Sequence, residues 1–137
     1  METVPFLLFD GDCADALAFY RDCLGGELTI TRLGETPMKD LFPAETHERV
    51  ISAHLGGGGV DLSAADWMAA DLGPVRGNMS AVFVTGPADA AFRAAFERLT
   101  RGAQARHLQE LHQMPFGLYG QLYDRYGVQW IFRGDNG

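Results

Sequence analysis

The stretch His54–Asp61 reads "HLGGGGVD" and sets an imidazole and a carboxylate at either end of a run of four glycines. A phosphate cradle would need G-x-x-x-x-G-K-[ST] between a strand and a helix. Here no Lys-Ser/Thr follows, and the next segment is again strand-like. The glycines are therefore expected to form a hairpin loop of four residues, with Leu55 opposite Val60 and His54 opposite Asp61. That register would put the two side chains on one face with Cβ atoms roughly 5 Å apart, and a one-residue slip would send them to opposite faces. The pair then serves either as polar cross-strand support for the sheet or as a dyad. In the dyad, Asp61 holds the His54 tautomer for hydrogen bonding or proton transfer. Glu110, flanked by His107 and His112, is a second candidate base. The candidate catalytic residues are thus His54, Asp61 and Glu110. No nucleophile stands beside a base, and no glycine turn of the dinucleotide-binding type follows a first strand. No cofactor is expected.

These residues need a scaffold, and the chain carries one. Its 137 residues, 47% hydrophobic, are enough for one domain with a core of its own. A net charge of −7 argues against nucleic acid and against an anionic membrane surface as partners. No apolar run approaches the roughly 20 residues that span a bilayer, and the N-terminus lacks a basic, signal-like segment, so a cytoplasmic location is expected. Cys13 and Cys23 fit neither a disulfide framework nor a zinc spacing and read as free thiols. The pattern strand, turn, helix, glycine stop occurs twice. Thr3–Phe9 is followed by a helix capped by Asp12, with Cys13, Leu17, Tyr20 and Leu24 on one face. Asn78–Val84 is followed by a helix with Pro87 at its first position and Ala88, Phe92, Ala95 and Leu99 on one face. Three strand-like segments follow each helix: Leu28–Leu33, Arg49–Leu55 and Val60–Ala64, then Gln104–Leu108, Leu118–Tyr123 and Val128–Phe132. "DRYG" at 124–127 is a type I turn closed by a glycine. His47 lies in the polar segment 34–48 and is expected to be solvated. The chain thus divides into a module over about 1–66, a linker over about 67–77 and a module over about 78–137, each βαβββ.

A duplicated unit of this kind resembles the glyoxalase/bleomycin-resistance, or vicinal oxygen chelate, superfamily, and in particular its PhnB-like branch. The resemblance is carried by "PFLLFDGDCADALAFYRDCLGGEL" at 5–28, "SAHLGGGGVDLSAAD" at 52–66, "LQE" at 108–110 and "FGLYGQLYDRYGVQW" at 116–130. It implies an α+β fold: two tandem βαβββ modules in a curled eight-stranded mixed sheet, helices on the convex side and a ligand cavity on the concave side, often at a dimer interface. Metal-dependent members hold their ion on the first and last strands of each module. Carried over, those positions are Pro5, Ser63, one of Asn78 to Ser80, and Ile131. Proline and isoleucine cannot coordinate, and a hydroxyl or carboxamide is a poor ligand for Zn²⁺ or Ni²⁺. No metal is expected there. A recruited set of His54, Glu110 and His112 is the alternative.

Alternation along the strands divides helix-facing from cavity-facing residues. Val60 and Leu62 should face the helix and Asp61 and Ser63 the cavity. Ile51, Ala53 and Leu55 should face the helix and Ser52 and His54 the cavity. Tyr119, Gln121, Tyr123, Gln129 and Ile131 should line the cavity, with Pro5, Leu7 and Phe9 as its apolar wall. Gln109 and Glu110 fall in a segment that the family uses as cavity lining, or form an exposed loop pair. Trp67 and Trp130 read as packing residues. The expected ligand-binding set is Leu7, His54, Asp61, Ser63, Gln109, Glu110, Tyr119, Gln121 and Gln129. The expected partners are a small molecule and a second copy of the chain, since a homodimer would cover open strand edges. Three functions follow: a metal-free small-molecule binder, a metal-independent isomerase or lyase using His54 or Glu110 as base, and an unliganded dimeric interaction module.

Overall fold

The computed structural model describes residues 1–68, 73–75, 77–102 and 104–136. Eight strands and two helices follow in the order β1 (Phe6–Phe9), α1 (Cys13–Leu24), β2 (Glu27–Arg32), β3 (Val50–Gly57), β4 (Val60–Asp66), β5 (Val82–Pro87), α2 (Ala90–Leu99), β6 (Arg106–Met114), β7 (Gly117–Tyr123) and β8 (Gln129–Asp135). The strands hydrogen-bond as two four-stranded mixed sheets, ordered β1-β4-β3-β2 and β5-β8-β7-β6. In each, the first strand runs parallel to the fourth and the remaining pairs are antiparallel. The fold is α+β, two tandem βαβββ modules with no closed barrel among the described residues. The two compact units are Met1–Val75 and Arg76–Gly137. Much of the expected linker over 67–77 lies outside the described residues.

In the first unit, α1 buries Cys13, Ala16, Leu17, Tyr20 and Cys23, at the i, i+3, i+4, i+7 spacing that gives a helix one apolar face. The sheet meets it with Ala53, Leu55, Leu62 and Ala64, all buried. The start of α1 is not capped by Asp12, whose side chain makes no cap bond. Asp66, at the end of β4, supplies the carboxylate instead: Oδ1 accepts from the backbone N–H of Gly11 (2.8 Å) and Cys13 (3.0 Å), and Oδ2 from that of Val50 (2.9 Å). One buried side chain thereby satisfies donors from the β1–α1 turn, the helix start and β3. Burial, with the negative charge of Asp66 next, pushes the Cys13 thiol up to about 12. The polar segment 34–48 forms three short 3₁₀ turns, and His47 donates from Nε2 to the Lys39 carbonyl (2.9 Å) rather than standing free in solvent.

In the second unit, α2 starts later than the Pro87 rule places it. Pro87 closes β5, and Asp89 is the N-cap, accepting from Phe92 N–H at 2.9 Å. Phe92 and Phe96 pack edge-on against Phe132, each with ring centroids 5.2 Å apart. Gly134 allows this approach, because a Cβ there would stand 2.9 Å from both Ala88 and the Phe92 ring. Below them Trp130 is fully buried and donates its indole N–H to Asp124 Oδ2 (2.8 Å). Asp124 Oδ1 accepts from Tyr126 and Val128 N–H, closing the 124–127 turn, where Gly127 has a φ of 87°.

Candidate functional site

Each sheet has one face against its helix and one turned away, called here the far face. In the first unit the register aligns Thr29, His54, Ser63 and Phe6 as one row across the far face. The hairpin that positions His54 is tighter than the glycine run suggests. Gly57 pairs with Val60, so the loop is only Gly58-Gly59, with φ values of 63° and 91°. Those are the values of the two-residue turn favoured by strand twist. The expected pairing of His54 with Asp61 is therefore replaced by His54 with Ser63 and Gly56 with Asp61. A shift of two residues preserves the face, and the side chains still meet diagonally: His54 Nε2 donates to Asp61 Oδ1 at 2.8 Å. Gly56 makes the contact possible. A Cβ at that position would overlap Cε1 of the imidazole and stand 3.2 Å from both ring nitrogens. The side chains are 51% and 53% exposed, so this is a solvated pair.

The parallel register of β1 with β4 reverses one expectation. Leu7 pairs with Ala64, and Phe9 with Asp66, whose carboxylate caps α1. Leu7 thus stands on the helix face rather than in a cavity wall. Phe6 and Leu8 take the far face, and Phe6 is 60% exposed.

In the second unit the far face of β7 carries Tyr119, Gln121 and Tyr123, as alternation requires. Cross-strand pairing extends it into three rows: Arg106, Tyr123 and Gln129; Gln109, Gln121, Ile131 and Phe83; and His112, Tyr119 and Arg133. Gln121 Nε2 donates to the Tyr119 hydroxyl (2.9 Å). Two arginines sit over aromatic rings, Arg106 over Tyr123 (4.9 Å to the centroid) and Arg133 over Phe116 (4.3 Å). Neither was singled out from the sequence. Gln109 and Glu110 belong to β6, which runs on to Met114, and not to a loop. Gln109 pairs with Gln121, while Glu110 is exposed and falls within the register shift between Gln109 and His112, with no β7 partner in the ladder. Its backbone carbonyl accepts from His112 Nδ1 (2.8 Å). The Gln129 carboxamide oxygen is buried and has no hydrogen-bond partner among the described residues; the Trp67 indole N–H is in the same condition.

The far-face neighbours on the first and fourth strands are Phe6 with Ser63 and Phe83 with Ile131. Pro5 precedes the register partner of Ser63, and its carbonyl accepts from the Ser63 N–H at 3.0 Å. Neither pair, a phenyl ring with a hydroxyl in the first unit or a phenyl ring with an isoleucine in the second, offers the donors a divalent metal needs. Among the described residues no three His, Cys, Asp or Glu side chains converge to hold an ion.

A parallel-plus-antiparallel four-stranded unit with one helix, made twice, defines a class of protein built from paired βαβββ modules. The chain belongs to the glyoxalase/bleomycin resistance protein/dioxygenase superfamily, whose family model matches residues 3–132. Among solved structures it is similar to protein PA1353 from Pseudomonas aeruginosa, with a TM-score of 0.84 and 24% identity over 100% of this chain and 99% of that one. It is also similar to a PhnB protein from Bacillus cereus, described as a putative 3-demethylubiquinone-9 3-methyltransferase, with a TM-score of 0.72 and 20% identity over 100% of both chains. A glyoxalase-related enzyme from Fulvimarina pelagi matches with a TM-score of 0.58 and 19% identity over 100% of this chain and 89% of that one. At these identities the likeness is one of fold. No functionally curated protein matches the chain.

Proposed function

We propose that this PhnB-like protein binds a small organic molecule on the far face of its sheets, without a metal, and acts as a homodimer. One observation carries the reading: β7 aligns Tyr119, Gln121 and Tyr123 with Gln109, Gln129, Ile131 and Arg133, a mixture of apolar area and directed polar groups typical of ligand sites. Phe83 on the same far face is 56% exposed and adds apolar area that a ligand or a second copy would cover; in the first unit Phe6, 60% exposed, does so separately. The His54–Asp61 bond supports a second reading, a metal-independent isomerase or lyase in which His54 moves a proton. The exposed phenylalanines alone would suit an unliganded dimeric module.

Thermal-shift screening of a metabolite library tests the binding reading, since a ligand that binds only the folded state raises the melting temperature. A ligand should stabilise the wild type and lose that effect in Tyr119→Ala and Gln121→Ala. Equal stabilisation of all three proteins would place the site elsewhere. About one Zn or Ni per chain in a native mass spectrum would overturn the metal-free reading.

A further inference from the structure

We infer that the second unit holds a site for a small organic carboxylate, with Arg106 as its anion-binding group. The inference rests on the binding reading above and gives it a ligand class. A cavity of about 530 Å³ opens among Gly77, Asn78, Gln104, Arg106, Tyr123, Asp124 and Gly127. That is within the range of pockets that take small molecules. These residues belong to the unit Arg76–Gly137.

Charge singles out this cavity. The first unit, 1–75, carries thirteen Asp and Glu against four Lys and Arg, whereas 76–137 carries five against seven. The chain as a whole is at −7, yet its second unit is at +2. Among the described lining residues the cation is Arg106. Its guanidinium carbon lies over the Tyr123 ring, 4.9 Å from the centroid, a contact that restricts where the group can sit. A guanidinium can grip a carboxylate by two parallel hydrogen bonds. Among the described residues Arg106 has no carboxylate partner, in contrast to Arg49, which pairs with Asp10 at 2.8 Å. The lining also contains an acid, Asp124, but it is fully buried, and its oxygens are committed to Tyr126 N–H, Val128 N–H and the Trp130 indole. Gln104 and Asn78 add side-chain amides to the lining, suited to the polar substituents of such a molecule.

The probes are benzoate and its uncharged isostere benzamide, titrated into the full chain and followed by ¹H–¹⁵N NMR. Benzoate should shift the amides of Gln104, Arg106, Tyr123 and Gly127 in a saturable way, and benzamide should bind at least about tenfold more weakly. Arg106→Gln should abolish the benzoate response, and Arg106→Lys should keep part of it, since a lysine retains the charge but loses the fork. Raising the salt should weaken benzoate binding and leave benzamide unchanged. Both variants sit on an exposed edge strand, and their unchanged spectra elsewhere would verify folding. Failure of benzoate to shift these amides, or equal binding of benzamide, overturns the inference. Shifts confined to Gln121, Ile131 and Phe83 would do the same while leaving the far-face reading standing. A benzoate response with Tyr119→Ala and Gln121→Ala inert to every library ligand would retain this site and remove the far-face reading.

Discussion

Replacing Gly56 by alanine should uncouple His54 from Asp61 while leaving the fold intact. The magnitudes come from three terms. The new methyl would overlap the imidazole, so the ring must leave its seat over residue 56 and the 2.8 Å bond to Asp61 must break. A half-exposed ion pair or hydrogen bond of this kind contributes about 0.2–1 kcal/mol. Against that, alanine restricts the unfolded chain and recovers about 0.4–1 kcal/mol where the backbone accepts it. Gly56 is not among the glycines with positive φ, so its backbone accepts a side chain, whereas Gly58 and Gly59 would not. The two contributions nearly offset each other, and urea unfolding should show a change within about 1 kcal/mol. The informative measurement is a long-range ¹H–¹⁵N spectrum of the imidazoles, which reads the tautomer and the bond to Nε2. In that spectrum Gly56→Ala should match Asp61→Ala, and the double variant should match either single one. Retention of the wild-type His54 pattern in Gly56→Ala would refute the reasoning. So would a loss of more than about 2 kcal/mol, which would make Gly56 a backbone requirement rather than a seat for the ring.

Asp66→Asn should cost about 2–4 kcal/mol by urea unfolding, because the amide turns an N–H₂ toward backbone donors that the carboxylate satisfied. A cost below about 1 kcal/mol would show that water replaces it. Cys13 has its folded thiol value raised to about 12 from 9.0, so its contribution to stability is full below the unfolded value and is lost as pH rises from there through the folded one. Urea midpoints should therefore fall above about pH 9, and Cys13→Ala should flatten that fall. Light scattering at micromolar concentration should give twice the 15.0 kDa chain mass, and a monomer would remove the homodimer from the proposed function.

The elements that were legible in the sequence are those whose signals are local. The α1 face, the strands with strict alternation (β4 and β7) and the "DRYG" turn could be read directly, because side chains two or four residues apart report their own surroundings. The misplacements share one physical origin: they are set by partners far along the chain. "PFLLF" has no alternation to read, and only pairing with Ala64, 57 residues on, turns Leu7 toward the helix. Asp12 stands at the N-cap position but makes no cap bond, while Asp66 reaches donors at the helix start, Cys13 and Gly11 N–H, from 53 and 55 residues away. A run of glycines has no side chains from which to count a register, so the expected four-residue loop is two residues too long. The face of His54 survived because the shift was by two. Along β6 two register shifts break the period of two, which is why Glu110 had no readable face and Arg106 was passed over. The stacked arginine is visible only once Tyr123 is placed opposite it. Residues that alternation can place therefore define the middle of the far face, around Gln121. Those that only cross-strand pairing can place define its charged end, where the proposed carboxylate site lies.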